Sequence, residues 1–316
     1  MMKWLVTGGA GYIGSHVVRT FQEHGYEVSV LDDFSTGSRN FLPENTKIFT
    51  GDIRDSNAVA ESLAEVNGVV HLAGYKYASE SVKYPEETLD VNRNGTRNLL
   101  EQMRITGTQK IIFSSSSSVY GTPSELPATE ASKIQPQSPY AESKVQAEQI
   151  INEDEKVSSV NLRYFNVVGS GYQDIFDKSP FNLFPIITRR YREHLPSLIT
   201  GSDFNTPDGT AIRDYIHVTD IASAHLDAAK YLEENHLVKL TLNLSTGTGY
   251  SVLEIMNEFK KQLGDKFNFE FAPRRNGDPA VIYGDSQLAK SKLGWSPEFT
   301  LKDMVASAIQ VSNLYS

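Results

Sequence analysis

The chain predicts an α/β fold, a doubly wound parallel sheet with a smaller C-terminal domain. Three observations carry that expectation. Short apolar runs with β character recur near residues 3–7, 27–31, 46–50, 68–72, 109–115 and 159–165, and helical stretches at 11–24, 55–65, 85–105 and 138–154 fall between them. Such alternation makes the strands parallel and puts helices on both faces. The first run, Trp4-Leu5-Val6, leads straight into T-G-G-A-G-Y-I-G at 7–14. After Asn166 the alternation yields to loop signals in Gly169-Ser170-Gly171-Tyr172, between Pro180 and Pro185, and between Thr200 and Gly209.

Each element has its own justification. The opening strand ends at Thr7, Gly8 allows a tight turn, Gly11 lets the backbone approach a pyrophosphate, and Gly14 lets the next helix pack close to the sheet. The N-terminus of that helix offers unpaired N–H groups and a partial positive charge to phosphates. These are the marks of a dinucleotide-binding Rossmann sheet. The second strand, 27–31, ends in Asp32, eighteen residues after Gly14. A carboxylate there accepts hydrogen bonds from the adenine ribose and repels a 2′-phosphate, so NAD is expected rather than NADP. Asp33 reads as a solvated turn residue, since only one of the pair can face the ribose.

Further on, Ile111-Ile112-Phe113 runs into five serines at 114–118. This places hydroxyls at the carboxyl edge of the sheet, where ligands bind in doubly wound folds. The helix that follows opens Ser138-Pro139 and carries Tyr140 and Lys144. Positions i and i+4 share a face, so the ammonium can lie beneath the phenol. A nearby cation favours the phenolate, as would the positive ring of a bound NAD, making Tyr140 a base near neutral pH. Segments 1–166 and 213–247, the latter including Leu240 to Leu244, are assigned to the NAD-binding domain. Segments 167–212 and 248–316 are assigned to a substrate domain.

Composition bounds the function. With 316 residues the chain can bury a substantial core. Its net charge of −9 argues against a nucleic-acid partner. The absence of cysteine excludes a disulfide framework and thiolate zinc, and fits a reducing cytoplasm. No apolar run reaches membrane-spanning length, and a first strand beginning at the third residue leaves no room for a signal peptide. Seven scattered histidines form no metal-ligand pattern, and His71 and His217 read as structural.

Several segments together identify a resemblance spanning nearly the whole chain. They include T-G-G-A-G-Y-I-G-S-H at 7–16, G-D-I-R-D at 51–55, H-L-A-G-Y-K at 71–76, E-S-V at 80–82, V-N-R-N-G-T at 91–96 and S-S-S-S-S-V-Y-G at 114–121. S-P-Y-A-E-S-K at 138–144, L-R-Y-F-N at 162–166, D-G-T-A-I-R-D-Y-I-H-V-T-D at 208–220 and A-P-R-R-N-G-D at 272–278 complete the set. The chain resembles the extended short-chain dehydrogenases/reductases, and among them the UDP-glucose (UDP-galactose) 4-epimerase family. The glycine loop and the Tyr/Lys pair mark the superfamily; R-D-Y-I-H after D-G-T, Lys76 and the Glu80-Ser81-Val82 block are more particular to the epimerases.

The resemblance implies an NAD-dependent isomerase in which Ser116, Tyr140 and Lys144 oxidise the sugar 4-hydroxyl to a ketone and reduce it again from the other face. It adds Tyr12, Ile13, Asp52, Ile53, Lys76 and Asn92 to the cofactor contacts. Asn166, Asn182, Leu183, Arg213, Tyr215, Arg275 and Asp278 are implied to hold the UDP-sugar, with Lys76, Ser116 and Tyr140 at the sugar. The two arginines also suit phosphate on their own chemistry, since a guanidinium fork matches its oxygens. Ile282 is implied beside the substituent on sugar C2, with room for N-acetyl groups but no hydrogen bond for them. The stretches 85–105 and 138–154 resemble the helix pair that forms a homodimer in this superfamily.

Sugar-dehydrating relatives place an acidic pair after the catalytic hydroxyl; here Ser117 and Ser118 stand there, which favours epimerisation. The chain departs from the family pattern at Val167-Val168-Gly169-Ser170-Gly171-Tyr172, at Leu72, and at Tyr75 and Tyr77 around Lys76. Sugar identity is therefore open. A UDP-glucuronate epimerase or related oxidoreductase is one alternative, and a catalytically silent NAD-binding regulator is another.

Overall fold

A computed structural model of the chain describes residues 2–274 and 278–313. Its first half alternates β1 (Lys3–Thr7), α1 (Tyr12–Glu23), β2 (Glu27–Asp32), β3 (Lys47–Thr50), α2 (Ser56–Ser62), β4 (Gly68–His71), α3 (Ala78–Lys83), α4 (Pro85–Leu89), α5 (Gly95–Thr106), β5 (Lys110–Ser116), α6 (Pro139–Glu153) and β6 (Ser158–Tyr164). Next come β7 (Asn166–Val168), α7 (Leu183–Arg192), β8 (Ser197–Thr200), β9 (Ile212–His217), α8 (Val218–Glu234) and β10 (Lys239–Leu244). The chain closes with β11 (Gly249–Ser251), α9 (Val252–Leu263), β12 (Phe269–Ala272), β13 (Val281–Ile282), α10 (Gln287–Leu293) and α11 (Leu301–Asn313).

Seven parallel strands form the main sheet in the order β10-β6-β5-β4-β1-β2-β3. The order reverses between β1 and β4, the point beyond whose carboxyl ends doubly wound folds bind their ligands. Alternate side chains feed two cores, so the strands read as continuous apolar runs. Trp4, Val6 and Val30 pack against Val17 and Phe21 of α1 and Ala224 and Ala228 of α8. Leu5, Val69 and Ile111 pack on the other side against Leu99 and Met103 of α5 and Ile151 of α6.

Leu240–Leu244 lie in β10 at the edge of this sheet, whereas Arg213–His217 lie in β9, the middle of a smaller four-stranded sheet with β7, β11 and β13. The expected helix 85–105 is broken. Pro85 begins α4 at a first-turn position, where its missing N–H costs nothing, and a single π turn at Asp90–Asn94 separates α4 from α5. That turn rotates Asn92 inward, so that its amide donates to Ser143 Oγ at 2.8 Å. Among the described residues no helix is long and apolar enough to cross a membrane.

Candidate active site

At the end of β1 the glycine loop is built for close approach. Gly8 adopts φ +69, and a Cβ there would lie 2.7 Å from the backbone nitrogen of Ala73. A Cβ on Gly14 would fall 2.2 Å from the Gly8 carbonyl oxygen, so α1 reaches the strand only with glycine at that position. Gly11 caps α1 without a side-chain acceptor, and the first turn holds no acidic residue. The helix's opening N–H groups, from Tyr12 and Ile13 on, thus suit phosphate oxygens.

Asp32 closes the other side. Its carboxylate is 7% exposed and accepts from Ala10 N and Phe34 N, each at 2.9 Å. Burial raises its pKa against those two bonds. An ionised carboxylate has about four acceptor sites, so two backbone donors leave capacity for ribose hydroxyls. Asp33 spends its own carboxylate on Ser35 in the adjoining turn. Asp52 instead pairs with Arg54, at 2.6 Å, which holds it below the usual carboxylate range, while the Ile53 side chain is buried. Asn92 brackets Tyr75, accepting from its N–H at 2.7 Å and donating to its carbonyl at 3.0 Å. Lys76, the next residue along, stacks its ammonium 5.1 Å from the Tyr77 ring centre.

The chemical centre lies where β5 meets α6. Ser138 caps the helix by accepting from Ala141 N, and Pro139 starts it. Tyr140 and Lys144 share one face of α6, and the end of β5 brings Ser116 to the phenol. Ser116 hydrogen-bonds the Tyr140 phenol, which lowers its pKa, but burial outweighs this and holds the phenol above its ordinary value. Lys144 donates from Nζ to the Ser114 carbonyl at 2.7 Å and sits 4.9 Å from the Phe113 ring centre. Burial pushes it down to about 8, opposed by the negative charge of Glu148. Lysine is therefore near its titration point at neutral pH. Ser81, from the Glu80-Ser81-Val82 block, accepts from Tyr140 N at 3.1 Å, a contact that sequence reasoning did not assign to it. Ser143, which it passed over, donates to Tyr140 O at 2.7 Å and accepts from Asn92 at 2.8 Å.

On the facing side, parallel strands align the remaining candidates. Asn166 pairs in register with Tyr215, and Ile282 with Arg213. Arg213 and Tyr215 are two apart on β9 and so point to one face. Arg213 Nη1 donates to the Ile212 carbonyl at 2.8 Å, and Tyr215 packs on Phe184 at 5.7 Å between ring centres. Asn182 precedes α7, whose first residue is Leu183, and donates to Asp177 at 2.7 Å. The Tyr77 and Phe181 rings meet at 4.9 Å, bringing the Lys76 loop against the Asn182 segment. The Asp278 carbonyl accepts from Arg274 at 3.0 Å, and Arg275 lies outside the described residues. His71 and His217 are buried and engaged with Thr7, Thr96 and Ser307, as structural histidines are.

Residues 4–240 match the model of the NAD dependent epimerase/dehydratase family. A UDP-glucose 4-epimerase from Corynebacterium glutamicum is 39% identical over 317 residues, covering 97% of this chain and 94% of that protein. The crystal structure of a UDP-glucose 4-epimerase from Stenotrophomonas maltophila with bound NAD and formylated UDP-arabinopyranose superposes with a TM-score of 0.95 at 35% identity, covering 100% of this chain and 99% of that one. One from Bifidobacterium longum, in complex with NAD+ and UDP, gives 0.92 at 36% identity, covering 99% and 98%.

Proposed function

The chain belongs to the NAD dependent epimerase/dehydratase family, and we propose that it is an NAD-dependent 4-epimerase interconverting UDP-glucose and UDP-galactose. The observation that carries this reading is the meeting of Ser116, Tyr140 and Lys144 at the carboxyl edge of the sheet, beside a glycine loop and Asp32 that suit NAD. Full-length similarity to UDP-glucose 4-epimerases supports the choice of reaction.

When bound, NAD supplies a hydride acceptor that takes the C4 hydrogen of the sugar and returns it. The chain does the rest. Tyr140 Oη removes the proton of the sugar 4-hydroxyl and later gives it back. Ser116 Oγ donates to the same oxygen and keeps it in line with the phenol. Lys144 lends positive charge that favours the phenolate and offers ammonium donors to the nicotinamide ribose. Asn166, Asn182, Leu183, Arg213, Tyr215, Arg275 and Asp278 hold the UDP, so the keto sugar turns about a fixed anchor and presents its other face. Ser117 and Ser118 leave no carboxylate after Ser116 for elimination. The protein is further read as cytoplasmic and as a homodimer through α4–α5 and α6.

Incubating the protein as purified with UDP-galactose, without added NAD, tests this. UDP-glucose is expected to accumulate to equilibrium. Turnover of UDP-glucuronate alone would replace the hexose reading with a uronate one.

A further inference from the structure

Further along the reacting side of α6 lies a polar cluster that the mechanism does not use. Tyr140, Lys144 and Glu148 stand at i, i+4 and i+8 on one side of the helix. Glu148 Oε1 accepts from Ser115 Oγ and from Arg163 Nε at 2.9 Å; Oε2 accepts from Arg163 Nη2 at 2.6 Å. Arg163 donates in turn to Tyr120 Oη at 2.9 Å, and Tyr120 donates to Asn243 Oδ1 at 2.6 Å. Glu148 and Arg163 are 7% and 8% exposed, so the carboxylate and guanidinium are held out of water.

A buried ion pair is weak evidence of stability, because apolar residues of equal volume often do as well. Its placement says more. Ser114, Ser115 and Ser116 are consecutive on β5, and α6 grips each: Lys144 the Ser114 carbonyl, Glu148 the Ser115 hydroxyl, Tyr140 the Ser116 hydroxyl. The same carboxylate is the anion acting on Lys144. The other groups facing that ammonium are Tyr140 on α6, His71 from β4, and the Ser114 carbonyl and Phe113 ring from β5. His71 is neutral at physiological pH and burial holds Tyr140 protonated, which leaves Glu148 to offset the desolvation of Lys144.

We infer that Glu148, clamped by Arg163, is a positioning residue for this reaction: through Ser115 it holds α6 in register on β5 and so keeps Tyr140 and Lys144 in place. The inference rests on the epimerase reading for its consequence in turnover, and on the Ser115 and Arg163 bonds for the placement of α6.

The test follows the Lys144 side chain by 13C-lysine NMR across pH in the full-length protein, beside kcat and KM. Glu148→Gln keeps the shape and removes the charge. It should lower the Lys144 titration by about 1–3 pH units, the usual effect of one neighbouring charge. The alkaline limb of kcat should move down with it, KM for UDP-galactose staying near wild type. Glu148→Asp, which keeps the charge, should return the titration toward the wild-type value. Arg163→Lys keeps the positive partner of Glu148 but not its two-pronged grip, and gives a reading even if Glu148→Gln fails to fold: kcat should fall with KM near wild type. A Lys144 titration unmoved in folded Glu148→Gln, or wild-type kcat in Arg163→Lys, overturns the inference. Absence of epimerase activity in the wild type would overturn the functional reading while leaving the titration result to stand separately.

Discussion

The Lys144 ammonium lies 5.8 Å from the centre of the Tyr140 ring, one turn further along the same face of α6. It is anchored on the Ser114 carbonyl rather than on the phenol oxygen. Lysine therefore does not bond the phenol; the group that lowers the phenol's pKa is the Ser116 hydroxyl. Removing the phenol hydroxyl should leave this scaffold standing.

Tyr140→Phe should retain fold and bound NAD but turn over more slowly by roughly 10²–10⁴, the usual worth of a general acid–base group. Steady-state kinetics beside NAD released on denaturation checks this. Wild-type kcat in a cofactor-replete variant would show that another group carries the proton.

On the proposed reading, Asp32 sets cofactor choice. Asp32→Asn preserves shape but weakens acceptance from Ala10 and Phe34 and removes the charge that repels a 2′-phosphate. The preference for NAD over NADP should narrow by about 1–3 kcal/mol, comparable to a lost charge-assisted bond. Calorimetric titration of cofactor-free protein with each nucleotide measures the gap. Equal affinities in the unmutated protein would contradict the assignment.

Much of this site is legible in the sequence because it depends on local rules. Glycines at 8, 11 and 14 mark a strand-to-helix turn, and Tyr140 and Lys144 are brought together by helical spacing alone. What was not legible depends on distant partners. The π turn at Asp90–Asn94 interrupts an otherwise helical pattern, and there Asn92 bonds to Ser143, far along the chain. Residues 213–247 are assigned on sequence as a whole to the NAD-binding domain, and nothing local says that I-R-D-Y-I-H at 212–217 forms a strand pairing with β7, β11 and β13 rather than with the main sheet. The dominance of burial over the Ser116 hydroxyl at Tyr140 likewise follows from packing, which spacing does not reveal.

Acid should destabilise the fold through its histidines. Burial pushes His16 and His225 down to about 4 and His71 and His217 to about 3, from an ordinary value of 6.5. Below 6.5 the unfolded chain takes protons that the folded one refuses, so stability is lost as pH falls toward those values. Each histidine contributes up to about 1.4 kcal/mol per pH unit in that window. Asp214 and Asp220, pushed up to about 6, act in the opposite sense as pH falls from about 6 toward the ordinary carboxylate value. Asp32 and Glu130 are raised as well and share that sign. The larger histidine shifts prevail, and thermal midpoints should fall between about pH 7 and about pH 5. A flat or rising midpoint over that range would contradict the assigned protonation states.

Ile282 tests sugar selection. β13 pairs with β9 so that Ile282 stands beside Arg213, one of the residues proposed to hold the UDP-sugar. The wild type should turn over UDP-N-acetylglucosamine more weakly than UDP-glucose, by a difference of about 1–3 kcal/mol, since apolar shape discriminates only that far. Ile282→Tyr should abolish the N-acetyl activity and spare the other, and Ile282→Ser should raise it. The readout is the ratio of kcat/KM values for the two substrates; a ratio unchanged in both variants would place Ile282 outside the pocket.

The central claim is that the C4 hydrogen leaves the sugar and returns without meeting water, while Tyr140 carries only the hydroxyl proton. The most direct test supplies UDP-galactose deuterated at C4 to the protein as purified and reads the product by NMR. The account predicts UDP-glucose retaining deuterium at C4, formed without added cofactor. UDP-glucose carrying solvent hydrogen at C4, or no UDP-glucose at all, would contradict it.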